Sequence, residues 1–348
     1  MPAADVSISN TPPRRPTCER GARPAGFGAL AIGLVLSVVS PAGAHFDTPT
    51  YTVSQTADVV YGHAATQGGA QSIDLRLDLY EPQGNTEPNK PALVLIHGGG
   101  FTSGDKGVLP FVDLGNYFAS RGYVAVSINY RLAADDPPAD PGYVLLGDGL
   151  DATRHAGIVD TKRAVRWLRA NRTTLGIDPV HIFALGSSAG AFHAMTAGVT
   201  DDAAFLTDLP GQTPNPANHP DESAALEAVI DLWGGANPAD FDASDPPLLI
   251  FHGTEDTVVD FAIAELMALS AANAGMEVEF FPLQGWGHSA FTAEIGGRSI
   301  ADVVVGFLER HVFHAGASVP TLGAWSLALL TLLLGAVGAR LLRQRYPA

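Results

Sequence analysis

Three stretches of this sequence carry side chains suited to nucleophilic chemistry. The first is Gly186-Ser187-Ser188-Ala189-Gly190, which follows the apolar run HIFAL (181–185) and precedes a helix-like run over 189–197. This is a G-x-S-x-G pattern between a strand signal and a helix signal, where flanking glycines leave room for a sharp turn that pushes the central serine out of the sheet. Ser188 is therefore the candidate nucleophile, and Ser187 sits at a position that the turn does not expose. A serine hydroxyl needs a base, and the base needs an orienting acid. The chain order that goes with this turn is Ser, then Asp or Glu, then His. Asp256, in HGTEDTVV directly after the run PLLIF, is the expected acid, ahead of its neighbours Glu255 and Asp260. His288, in GWGHS after the run 278–283, is the expected base. His311 and His314 come at the end of a predicted helix, a poor location for catalysis, and His97 and His252 are expected to shape turns.

Three consecutive glycines, Gly98 to Gly100, follow LIH and precede Phe101. Glycine loses more conformational freedom on folding than any other residue, so a triplet inside a domain needs a reason. When a serine attacks an acyl carbonyl, the oxygen becomes an anion and backbone N–H groups must point at it. The expected donors are the amide of Ala189, just after the nucleophile, and those of Gly99 and Gly100. Side chains on that loop are expected to block donors and substrate alike.

These residues need a scaffold that brings strand ends together. Alternation in SIDLRLDLY (72–80) reads as an antiparallel strand. The runs 92–97, 123–128, 181–185, 226–232 and 247–251 are continuously apolar, as suits strands buried on both faces. Helical patterns over 158–175, 261–274 and 300–312 separate or follow them, two of these ending at Gly176 and Gly275. The fold class expected is α/β: a mainly parallel sheet with helices on both faces and its ligand site at the carboxyl ends of the strands. Segments 133–156 and 200–223 break the rhythm and read as long binding loops, which with Phe101 are expected to line a pocket. Asp135, Asp136 and Asp140 read as a solvated acidic loop rather than metal ligands.

The 348 residues suffice for one such domain flanked by two special ends. Residues 1–44 place four arginines before a short apolar core and Ala42-Gly43-Ala44, the layout of a secretory signal peptide. Residues 45–316 form the expected catalytic domain. Residues 317–348 hold an uncharged apolar stretch from Thr321 to Ala339, with Trp325 near its start and Arg340, Arg343 and Arg345 behind it. That stretch is about long enough to cross a bilayer, and the arginines keep its far end cytoplasmic. The only cysteine, Cys18, falls in the leader, so the expected mature domain has neither disulfide nor thiolate nucleophile. A net charge of −16 excludes nucleic acid as an expected partner. The protein is expected to be exported, and periplasmic or cell-surface.

The motifs LIHGGGFTSGDK, FASRGYVAVSINYRL, the segment through GSSAGAFHA, and PPLLIFHGTEDTVV with GWGHS resemble the α/β-hydrolase superfamily. Within it they are most similar to HGGG-type esterases of the bacterial feruloyl- and acetyl-esterase-like group, BD-FAE. The resemblance runs from about Tyr80 to Phe313. It implies carboxylic-ester hydrolysis without metal or organic cofactor, by Ser188, Asp256 and His288, with oxyanion donors at Gly99, Gly100 and Ala189. Phe101 stands where many relatives have Trp. The substrates implied are small esters or acetyl and feruloyl esters on polysaccharides. An arylformamidase-like amide hydrolase and an inactive binding module are the alternatives on the same fold. Val319-Pro320-Thr321-Leu322 with Trp325 resembles an IPTL-type C-terminal sorting tail, which implies handling by sorting machinery at the membrane.

Overall fold

The computed structural model describes residues 46–314. The expected leader, the boundaries of the catalytic domain and the C-terminal segment lie outside the described residues. Eight strands form one sheet: β1 (Thr52–Thr66), β2 (Gln71–Gln83), β3 (Lys90–Ile96), β4 (Val124–Ile128), β5 (Ile177–Ser187), β6 (Ala228–Leu232), β7 (Leu248–Gly253) and β8 (Val278–Leu283). Their spatial order is β1-β2-β4-β3-β5-β6-β7-β8. The pairs β1/β2 and β2/β4 are antiparallel, and all pairs from β4 to β8 are parallel. A small ribbon of β9 (Glu294–Ile295) and β10 (Arg298–Ser299) stands apart. The helices are α1 (Leu109–Ala119), α2 (Asp151–Ala170), α3 (Arg172–Leu175), α4 (Ala189–Gly198), α5 (Phe261–Ala274) and α6 (Ile300–His314).

The continuous apolar runs follow from this two-sided burial. Successive strand residues point to opposite faces. Ala92, Val94 and Ile96 of β3 join a cluster with residues of α2, α4 and α5, whereas Leu93 and Leu95 join a second cluster with residues of α1 and α6. Both faces of the parallel sheet are thus covered, and its strands are apolar on both sides.

Three elements depart from the sequence reading. Helix α2 begins at Asp151, so the last six residues of the expected 133–156 loop are helical. Its first turns bury Arg154 and His155, polar residues that leave no apolar stripe to read. It also stops at Ala170, with α3 as a separate turn closed by Gly176 in the left-handed region. Helix α1 was not foreseen. Pro110 starts it, and Gly115 packs on the ring of Tyr80, where a Cβ would come within 2.7 Å of the ring carbons. Strand β1 was missed as well. It is a largely exposed edge strand with two register shifts, so alternation is broken.

The 200–223 segment has little regular structure, yet it is fastened to α2. Lys162 donates to the carbonyls of Thr200, Asp201 and Ala204 at 3.0, 2.7 and 3.2 Å. Arg166 reaches the carbonyls of Asp202 and Glu222, and Arg169 those of Ser223 and Ala225. Spacings of three and four residues put these cations on one helix face. Asp208, inside the segment, pairs with Arg131 at 2.7 Å and Arg163 at 3.0 Å, and both arginines also hold the buried Asp160. Cations on a helix face thus satisfy the backbone carbonyls of a loop that has no ladder of its own.

Candidate active site

Ser188 caps the start of α4 with φ 53° and ψ −120°, a conformation that non-glycine residues seldom adopt. Residues held there cost about 1–3 kcal/mol and persist only when their surroundings fix them. The surroundings are visible. The Ser188 amide donates to the carbonyl of Leu232, and the Ser188 carbonyl accepts from the amide of Phe192. A Cβ on Gly186 would lie 2.1 Å from the carbonyl oxygen of Gly190, and one on Gly190 would lie 2.1 Å from that of Ile96. Both glycines of the pattern are therefore required by backbone contact, the first within the turn and the second against the end of β3. Ser187 is the last residue of β5 and is buried.

The structure brings Ser188, Asp256 and His288 together. His288 Nε2 lies 2.9 Å from Ser188 Oγ, and its Nδ1 lies 2.7 Å from Asp256 Oδ2. A carboxylate only accepts, so Nδ1 carries the proton and Nε2 is left to accept from the serine hydroxyl. The Asp256 oxygens divide the work. Oδ1 accepts from the amides of Val258 and Val259 at 2.8 and 3.0 Å, leaving Oδ2 for the imidazole. Burial pushes the Asp256 carboxyl up, but the hydrogen bonds from His288 and those amides outweigh it and hold it below the ordinary carboxylate range. Glu255 contributes its backbone instead, its amide donating to the carbonyl of Trp286, and Asp260 caps α5. This ties the loop after β7 to the loop that carries His288.

His252 does more than shape a turn. Its Nε2 donates to the carbonyl of Val259 at 2.9 Å and stands 3.3 Å from Asp256 Oδ2. It braces the acid's loop from below, and burial lowers its proton affinity. His97 does hold a turn, with Nδ1 donating to the carbonyl of Gly98 and the ring stacked on Tyr130. His311 lies on α6, remote in the chain from these loops.

The three glycines of the loop after β3 answer to three different demands. A Cβ on Gly98 would crowd Ser188 Cβ at 3.1 Å, so this position clears the approach to the serine. Gly99 has φ 129°, and a Cβ there would collide with the carbonyl of Ser103 at 1.9 Å. Gly100 has φ 60° with no protein atom near an added Cβ, so the surrounding protein demands only its conformation. Among the described residues, the amides of Gly99, Gly100 and Ala189 donate to no other protein group.

Phe101 follows in the left-handed region at φ 65°. Its ring meets Phe192 and His193 edge-on, with centroids 5.8 and 5.4 Å away. A cavity of about 280 Å³ lies on Phe192, lined also by Tyr143 and Leu145 of one long loop and Phe205 of the other, and Phe101 is not part of its lining. Tyr143 and Phe205 also line a neighbouring cavity of about 410 Å³ with Asp140 and His155. A further cavity, about 440 Å³, lies between the β1–β2 hairpin and residues 206–220, and neither Ser188, Asp256 nor His288 lines any of these three cavities. Asp135 and Asp140 accept from nearby backbone amides within their own loop.

Sequence reasoning missed several buried polar residues at the site. Asp231 on β6 is fully buried, with Oδ1 accepting from Gly234 at 2.7 Å and Oδ2 without a partner among the described residues. Trp233, also fully buried, packs edge-on to Phe291 and His288. His193 is fully buried and neither ring nitrogen has a partner among the described residues, so burial drops its proton affinity to a pKa of about 3. A histidine five residues past the serine was the one available hint.

This strand order, with a serine on a tight turn after β5 and an aspartate and a histidine on loops after β7 and β8, is that of the α/β-hydrolase fold, and the chain adopts it. Within it, the BD-FAE family model matches residues 77–243, and the IPTL-CTERM motif matches residues 317–345. Esterase LipQ of Mycobacterium tuberculosis is 26% identical over 285 residues, covering 73% of this chain and 62% of that protein. Acetylcholinesterase of Gallus gallus is 38% identical over 128 residues, 35% of this chain and 15% of that one. The chain thus spans less than two thirds of these curated relatives. Among solved structures, Thermogutta terrifontis esterase 2 phosphorylated by paraoxon aligns with a TM-score of 0.55 at 25% identity, covering 73% of this chain and 90% of that one.

Proposed function

We propose that this protein is an exported serine hydrolase of carboxylic esters. The observation that supports it best is the continuous hydrogen-bonded line from Ser188 Oγ through His288 to Asp256, at 2.9 and 2.7 Å. Ser188 attacks the acyl carbon while His288 Nε2 takes its proton. The carbonyl oxygen becomes an oxyanion and is received by the amides of Ala189, Gly99 and Gly100. As the tetrahedral adduct collapses, His288 returns the proton to the departing alkoxide, leaving an acyl-enzyme. His288 then deprotonates a water that attacks the same carbon, and the acid and free serine result. Asp256 holds the imidazole in one tautomer and offsets its charge.

The esterase names of the relatives, and of the neighbour phosphorylated by paraoxon, agree with this reading. The substrates are small esters, or acetyl and feruloyl esters linked to polysaccharide. Their bulk is received by the cavity lined by Phe192, Tyr143 and Phe205, with Phe101 one ring contact away. The leader over 1–44 directs export, and the IPTL-type tail holds the protein at the membrane or is removed there. Among the described residues no helix is long and apolar enough to cross a membrane.

Hydrolysis of p-nitrophenyl acetate by the parent and by Ser188→Ala tests the proposal. The expected loss is about 10⁴-fold or more. Equal rates would remove Ser188 as nucleophile. Parallel assay of an N-formyl aryl amide, if faster than the ester, would move the reading to an amide hydrolase.

A further inference from the structure

Gly99, Gly100 and Phe101 have φ of 129°, 60° and 65°, three left-handed residues in succession. Two of them are glycines. Phe101 is not, so its conformation must be held from outside. Its carbonyl accepts from the amide of Ala133, and its ring is enclosed by Phe192, His193 and the guanidinium of Arg154, which lies 4.8 Å from the ring centroid.

Arg154 is itself closely fixed. It is buried, in the first turn of α2. Its two terminal nitrogens grip Asp148 in a fork, both contacts at 2.6 Å, and one of them also reaches Asp151 at 3.0 Å. Asp151 in turn accepts from the amides of Leu146 and Gly147. The turn over 146–151 is thus organised around one arginine, and that arginine carries it to the ring of Phe101. A planar fork of this kind is pre-organised in a way that a lysine ammonium is not.

We propose that Arg154 is a positioning residue for the oxyanion loop. Clamped by Asp148 and Asp151, it presses on the Phe101 ring and holds the left-handed backbone that aims the Gly99 and Gly100 amides at the reacting carbonyl oxygen. It touches neither substrate nor nucleophile, and it couples the chain's long 133–150 loop to the donors of the hole. The inference rests on the ester-hydrolase reading of Ser188.

The test uses the full chain and three variants, Arg154→Met, Arg154→Lys and Asp148→Asn. Each is assayed on p-nitrophenyl acetate and titrated with an aliphatic trifluoromethyl ketone. That ketone forms a hemiketal with the serine and puts an oxyanion in the hole. A slightly misplaced donor costs rate rather than ground-state binding, so Arg154→Met should lower kcat about 10- to 100-fold with KM within about twofold. Its affinity for the ketone should fall in step with kcat. Arg154→Lys keeps a cation without the fork and should lie between Arg154→Met and the parent. Asp148→Asn loosens the fork from the exposed side, should fold normally, and should reproduce part of the loss. A folded Arg154→Met or Asp148→Asn with kcat and ketone affinity like the parent's would overturn the proposal. So would a loss confined to KM. If the parent has no esterase activity, or keeps it in Ser188→Ala, the hydrolase reading falls and this inference with it; a normal parent with unaffected variants takes down this inference alone.

Discussion

Asp231 shows how much one buried side chain can govern. Burial raises its carboxyl to about 7, against the opposing hydrogen bond from Gly234. An unfolded aspartate titrates near 3.9, so across this window the folded state holds a proton that the unfolded state has lost, and stability falls as pH rises. The contribution is complete below about pH 4 and gone above about pH 7, and a gap of about three pH units corresponds to on the order of 4 kcal/mol. Asp231→Asn keeps an oxygen for the Gly234 amide and cannot ionise. Denaturant unfolding at pH 5 and pH 8 should show the variant gaining on the parent at the higher pH; an unchanged difference would show that Asp231 is not protonated in the fold. At this scale Ser188, Asp256 and His288 were legible because turn chemistry marks them, two by glycines and one by a strand end. Asp231, His193 and Arg154 were not, because their meaning comes from what covers them, and sequence spacing carries no record of that.

At the scale of elements, the meeting of β3, β5 and α4 positions Ser188, the proposed nucleophile. Gly190 is the contact point, where an added Cβ would lie 2.1 Å from the carbonyl oxygen of Ile96. Gly190→Ala forces backbone apart, an overpacking that costs about 1–3 kcal/mol, and it tilts the helix that starts at the serine. Melting and p-nitrophenyl acetate hydrolysis should both show a loss, with activity falling further than stability; a fully active variant would mean that the turn tolerates the shift. The parallel strands were readable from continuous apolar runs because both faces are buried. β1 was not, being an exposed edge with bulges, and neither was α1, whose Gly115 is dictated by the Tyr80 ring rather than by any helical preference. The start of α2 was hidden because its first turns bury charge instead of hydrocarbon.

At the scale of the whole molecule, a chain of net charge −16 spends several of its few cations in the interior. Lys162, Arg163, Arg166 and Arg169 of α2, with Arg131, hold the 200–223 loop against the sheet. A buried pair adds little over an apolar replacement, but removing one partner leaves a charge uncompensated, which costs about 3–5 kcal/mol. Asp208→Ala should therefore destabilise by roughly that amount, measured by urea unfolding, and should loosen the loop as read by hydrogen exchange over 200–223. A variant as stable as the parent would show that Asp160 alone balances both arginines. Burial raises the Asp208 carboxyl, but Arg131 and Arg163 outweigh that and depress it. This clamp is present above the ordinary carboxylate range and is lost as pH falls through the depressed value. Both long segments line cavities of the described residues; that α2 ties one of them down was not legible, since a basic helix face reads as solvated until the loop is seen on it.

In the proposed reaction one serine, Ser188, forms a covalent intermediate. Paraoxon titration followed by peptide mass mapping tests it most directly. The expected outcome is one diethylphosphoryl group per chain, on the peptide containing Ser188, with esterase activity lost in proportion to labelling. Activity that survives full labelling of Ser188, or inhibition with the label on a different residue, would contradict it.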